Sequence, residues 1–146
     1  MTTIKALSLH QPWATWIAAG KKTIETRMWD TRYRGPLLIC ASRHGARRSG
    51  DQAWVIARDT DGRLREFPVG VALCIAELTY TDRMMLADEP FALCACEPGR
   101  FAWHLGSILP VEPFPVKGRQ GLFNVDIPDD LLRRFWDDRA ARMREE

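Results

Sequence analysis

The sequence has no apolar run approaching the eighteen or so residues that a bilayer crossing requires. Its start, Met1-Thr2-Thr3-Ile4-Lys5, lacks the apolar core and small-residue cleavage site of a secretory leader. These absences predict a cytoplasmic protein with no membrane partner. No internal repeat, low-complexity tract or linker-like stretch divides the chain, so one domain is expected over residues 1-146, with 128-146 a docked C-terminal helix. Paired metal-ligand spacings are also missing. Cys94 and Cys96 form C-x-C, not C-x-x-C, and His10, His44 and His104 stand far apart, so neither a metal nor another cofactor is expected. Cys40 and Cys74 fall inside apolar runs and are expected to behave as small buried hydrophobes. Acidic residues are scarce near the start. Residues 1 to 50 hold nine Lys and Arg against Glu25 and Asp30, a net +7, so the other 96 residues carry −5 of the overall +2.

The basic third contains the most unusual stretch, Gly20-Lys21-Lys22-Thr23-Ile24-Glu25-Thr26-Arg27-Met28-Trp29. As a strand, it sends Thr23, Glu25, Arg27 and Trp29 to one face and Ile24, Thr26 and Met28 to the other. Lys22 follows the Gly20 at which a preceding helix would end, so its side chain is free to curl toward Glu25 and Arg27. A cation, a carboxylate and a guanidinium would then line a cleft. The same charges also suit a solvent-facing edge that resists pairing with other strands. The Arg-rich composition, with Trp29, Tyr33 and Trp54 in the same segment, fits a nucleic-acid surface as well as a generic basic face.

In chain order, Lys5 to Leu9 reads as a strand, and Gln11-Pro12-Trp13 opens a short helix whose Trp13, Trp16 and Ile17 share a buried stripe. His10 and Gln11, at that junction, are candidates to face the cleft. Leu37 to Ser42 is a buried strand delivering Ser42 and Arg43 to its rim. Ser49 to Arg58 is expected to be a helix capped by Ser49. Val69 to Tyr80, the longest apolar run, is expected to be the central strand, with Glu77 either opening onto the cleft or paired within the fold. Thr81-Asp82 is expected to cap a short helix over 83–86 that Pro90 ends. Phe101 to Leu109 reads as a strand, and Pro110, Pro113 and Pro115 as an irregular or edge segment. Gly118-Arg119-Gln120-Gly121 sets two flexible residues around a cation and an amide, a backbone able to approach a ligand closely. Leu122 to Ile127 is a last strand, and Asp129-Asp130 starts a helix with acids in its first turn.

Leu7-Ser8-Leu9-His10-Gln11-Pro12-Trp13-Ala14, then Gly20-x-Lys22-x-x-Glu25-x-Arg27, then Tyr33-Arg34-Gly35-Pro36-Leu37, resembles the ASCH (activating signal cointegrator homology) family, whose marker is G-x-K-x-x-E-x-R. Val116 to Phe123 resembles the closing segment of that domain. The resemblance runs from about residue 5 to about residue 127. It implies an α+β, PUA-like mixed β-barrel with short surrounding helices, shared with RNA-binding modules, and a cleft holding Lys22, Glu25 and Arg27.

With the resemblance added to the basic, aromatic-bearing segment, binding of RNA or a nucleotide-like small molecule is the reading expected first. Lys22, Arg27, Arg32 and Arg119 suit phosphates and Glu25 suits a base amino group, with His10, Gln11, Thr23, Trp29, Tyr33, Ser42, Arg43 and Gln120 as further candidate contacts. Hydrolysis is the alternative. The resemblance implies, for some members, an amidohydrolase of acetylated cytidine that uses a Lys, a Thr nucleophile three residues later and a Glu from a later strand. Lys22 and Glu77 match two of these, but Glu25 stands at the nucleophile position and Thr23 is the nearby hydroxyl on its face. RNA cleavage, also implied for some members, would use Lys22 and Arg27 on the phosphate and Glu25 or Glu77 as base, without a metal.

Overall fold

The computed structural model describes residues 1–145. In chain order its elements are β1 (Thr2–Leu9), α1 (Trp13–Ala18), β2 (Ile24–Arg27), β3 (Gly35–Ala41), β4 (Arg47–Ser49), β5 (Gln52–Arg58), β6 (Leu64–Pro68), β7 (Val71–Arg83), a 3₁₀ turn (Leu86–Asp88), α2 (Glu89–Ala92), β8 (Phe101–Pro115), β9 (Phe123–Ile127) and α3 (Asp129–Arg144). Six strands form one sheet in the order β2-β8-β7-β3-β1-β9, and β4-β5-β6 form a separate ribbon. Within the large sheet β1 and β3 run parallel and the other neighbours are antiparallel. The sheet ends at β2 and β9 without closing on itself.

The continuous apolar run of β3 reflects burial on both faces. Leu37 and Ile39 join Leu7, Leu9, Leu78 and Trp103 under α1, whose Ile17 is fully buried. Leu38 and Cys40 turn to the other face, where Ile75, Phe123 and Ile127 pack with Phe135 of α3. Removing the four largest of these side chains from water is worth about 1.5–3 kcal/mol each, which is why α3 docks although most of its surface is charged. Burial pushes the Cys40 thiol up to about 12 and raises Cys74 as well, so both are inert packing residues, as their apolar settings indicate.

Two local expectations are corrected. Residues 49–58 form a hairpin, with Ser49 opposite Gln52 and Arg47 opposite Trp54, because Gly50, at φ +58°, makes the turn and the β-branched Val55 and Ile56 suit the pleat. In place of the expected helix over 83–86, Thr81 to Arg83 end β7, Met84 and Met85 are irregular and Leu86 opens the 3₁₀ turn, while Pro90 lies in the first turn of α2, where its missing N–H costs nothing. The proline-bearing segment is an edge, as expected: Pro110 and Pro115 belong to the end of β8, paired on one side with Cys74 and Val71. β2 covers β8 only over Phe101 to His104, so the prolines lie on an open edge, where no neighbour needs their N–H.

Candidate nucleic-acid interface

The cleft forms where β1, β2, the end of β3 and the loop before β9 meet. α1 stops at Ala18, and Gly20, at φ +77°, turns the chain so that the Lys21 and Lys22 amides both donate to the Trp16 carbonyl, at 2.9 and 3.1 Å. That turn drives Lys22 inward. It is 1% exposed, its Nζ donates to the Ala92 carbonyl, and it lies 3.6 Å from Glu25 Oε1. Burial holds the Lys22 ammonium below its ordinary pKa, and the neighbouring Glu25 carboxylate partly restores it. Glu25, 7% exposed, also accepts from the Thr26 amide at 3.0 Å and pairs through Oε2 with Arg27 Nη2 at 3.1 Å. The same guanidinium nitrogen donates to the Ser8 carbonyl at 3.0 Å. Lys22, Glu25 and Arg27 thus form one chain of charges running from the interior to the cleft wall.

Two cavities share Ser8, His10 and Arg27. The larger, about 700 Å³, is lined also by Trp29, Ser42, Arg43, Lys117, Gly118, Arg119, Gln120 and Gly121. The smaller, about 350 Å³, holds Lys22, Glu25, Thr26, Cys94 and Arg100. Ser8 Oγ and Arg27 Nε are buried polar side-chain atoms without a hydrogen-bond partner. Gly118 is what lets the closing loop approach β1, since a Cβ there would stand 2.7 Å from Ser8 Oγ. Trp29 projects into the larger cavity, braced edge-on against Trp103 at 4.9 Å. His10 stacks on His44 at 4.3 Å, and burial, His44 and Arg27 hold it below its ordinary pKa while Glu25 opposes them. Among the described residues no group of three or more His, Cys, Asp or Glu could hold a metal.

Other candidates lie elsewhere. Gln11 is buried and committed, donating to Thr15 Oγ1 and the Pro68 carbonyl and accepting from the Thr15 amide. Thr23 gives its amide to the Phe91 carbonyl and lines neither cavity. Arg32 is exposed on a turn, and the Tyr33 hydroxyl donates to the Pro36 carbonyl; neither lines a cavity. Glu77 is on the opposite face of the sheet, paired with Arg139 of α3 at 2.6 Å, so it does not meet Lys22 or Arg27. Thr26 does not face away from the site: it lines the smaller cavity and accepts from Arg100 Nη1 at 3.2 Å. Ser8, Lys117, Cys94 and Arg100 were not singled out from the sequence. Only Ser8 carried a signal, a polar residue between two leucines in a buried strand.

The mixed sheet with short covering helices and a basic, glycine-edged cleft is a PUA-like α+β fold. The sequence model of the ASCH domain matches residues 7–114, and the chain belongs to that family, a PUA-like family associated with RNA binding. Activating signal cointegrator 1 of Homo sapiens is 27% identical over 139 residues, and that of Mus musculus 26% over 138. In each case the match covers 82% of this chain and 22% of the relative, so the chain spans about a fifth of the length of these proteins. A crystal structure of ASCH from Zymomonas mobilis superposes with a TM-score of 0.56 at 15% identity, covering 91% of this chain and 93% of that one. A mutant of the same bacterial protein gives the same score and identity, with 91% and 96% covered. No helix among the described residues is long and apolar enough to cross a membrane.

Proposed function

We propose that this chain binds RNA or a nucleotide in the larger cavity through its phosphates, in a role in RNA metabolism or its regulation. The observation that carries this is a cavity walled by four cations, Arg27, Arg43, Lys117 and Arg119, with no carboxylate in its lining among the described residues. The guanidinium forks of Arg27, Arg43 and Arg119 suit phosphate oxygens, and Ser8 and Ser42 add hydroxyl-bearing residues to the same lining. Trp29 offers a ring on which a base stacks, and Gly118 and Gly121 let the backbone come close to a ligand. In the smaller cavity the Glu25 carboxylate is the acceptor for a base amino group. The hydrolytic alternatives draw less support, because the second carboxylate they would use, Glu77, faces α3.

The test is fluorescence anisotropy of a labelled single-stranded RNA and its DNA counterpart from about 50 to 200 mM salt. Four cations, Arg27, Arg43, Lys117 and Arg119, on phosphates predict a log–log salt slope of about −3 for a single strand. Arg119→Ala should weaken binding and reduce that slope by about one unit. Absence of binding to either polymer, or an Arg119→Ala variant with unchanged affinity and slope, would refute the proposal.

A further inference from the structure

The larger cavity does not end at its basic wall. A second groove of about 450 Å³ begins at Arg43 and runs along the β4-β5-β6 ribbon, with Trp54, Gln52, Asp51 and Glu66 among its lining. Arg43 is the residue that lines both. Its exposed side chain lies between them against Gly70, where a Cβ would stand 2.5 Å from Arg43 Nε and where φ is +72°. The positive φ favours glycine at that position, and the absence of a Cβ there leaves room for the Arg43 side chain to lie against the backbone. Trp54 is half-buried on β5, with the exposed Arg47 opposite it on β4 and Pro68 on β6.

We infer that the ligand is a single strand spanning both cavities, with a phosphodiester held on Arg43, one nucleotide in the larger cavity and the next stacked on Trp54. Two ligand-sized hollows joined by one guanidinium match the repeat of a polynucleotide, in which base and phosphate alternate, and do not match a mononucleotide. Asp51 and Glu66 in the ribbon groove repel phosphate and accept from base amino groups, so the second hollow takes a base and Arg43 takes the charge. A duplex is excluded from this path, because its bases are stacked inside and cannot reach Trp54. The inference rests on the cleft reading above and adds to it a second subsite.

The test measures affinity for uridine monophosphate and for a single-stranded RNA of about ten nucleotides, by calorimetry, in wild type, Trp54→Ala, Trp54→Phe and Arg119→Ala. Stacking of one base predicts that Trp54→Ala binds the oligomer about 5- to 150-fold more weakly. Its affinity for the mononucleotide should stay within about twofold, and Trp54→Phe should retain most of the oligomer binding. A matched DNA oligomer separates the two sources of such a strand, and Trp54 dependence with either one supports the inference. Unchanged oligomer binding in Trp54→Ala, while Arg119→Ala still weakens it, would overturn the second subsite and leave the cleft standing. Equal loss of both ligands in Trp54→Ala would overturn the division into two subsites. Failure of wild type to bind either ligand would bring down both.

Discussion

Replacing Glu25 with Ala strips the buried Lys22 ammonium of its counter-charge while leaving it 1% exposed beneath α2. Breaking a buried pair from one side typically costs about 3–5 kcal/mol, because the remaining charge is neither solvated nor matched. The Thr26 amide also loses its acceptor. For a chain of this length each kcal/mol moves the melting temperature by about 3 °C, so Glu25→Ala should melt about 10–15 °C lower. Lys22→Met should cost much less, about 1–2 kcal/mol, since a chain of similar length fills the space and the main loss is the donor to the Ala92 carbonyl. The decisive variant is the double one. Adding Lys22→Met to Glu25→Ala removes the orphaned charge and should recover about half of the lost stability. Urea unfolding followed by circular dichroism measures all three. If the double variant is no more stable than Glu25→Ala alone, the loss comes from backbone disruption at β2, and the electrostatic account of the marker is wrong.

Glu77→Ala should cost about 1.5–3 kcal/mol by releasing Arg139 and loosening α3, yet leave RNA affinity unchanged in the anisotropy assay; weakened binding would put Glu77 back in the site. His10, facing His44, Arg27 and Glu25, has its pKa held below 6.5, so the unfolded chain takes up its proton at higher pH than the fold does. Its contribution to stability is therefore complete above about pH 6.5 and declines as pH falls from there toward the folded value. His10→Gln should flatten the fall in unfolding free energy between about pH 7.5 and 5.5, and an unchanged slope would contradict the assignment. Gly118→Ala, forcing a methyl to 2.7 Å from Ser8 Oγ, should push the closing loop off β1 and weaken RNA binding about tenfold while Tm drops only a few degrees; full-strength binding would show that this approach is not needed.

Much of this protein follows from local pattern. The apolar runs of β3 and β7 mark strands buried on two faces, the acids at Asp129 and Asp130 mark the start of α3, and the spacing of Lys22, Glu25 and Arg27 after Gly20 carries their meeting, because residues three and five apart around a turn and a strand need no distant partner. The family, too, was legible from the ordered motifs. Where the sequence misled, long-range pairing was decisive. Residues 49–58 carry a plausible cap in Ser49, and pairing with β4 and β6, through Arg47 opposite Trp54 and Val55 opposite Phe67, fixes them as a turn and a strand.

Glu77 shows the limit most clearly. Alternation along β7 puts Glu77 with Ile75 and against Ala76 and Leu78, but it does not say which face carries the cleft and which carries α3, and its partner Arg139 comes 62 residues later. The cleft itself depends on Ser8 and Gly118 meeting across more than a hundred residues, and on Arg43 lying against Gly70. The sequence by itself determined most strands of the large sheet, the charge cluster and the family, since these are set by neighbours in the chain. Which charges face a common cavity, and which are spent holding a helix in place, only the tertiary structure decided, because sheet pairing brings together residues whose separation no local period encodes.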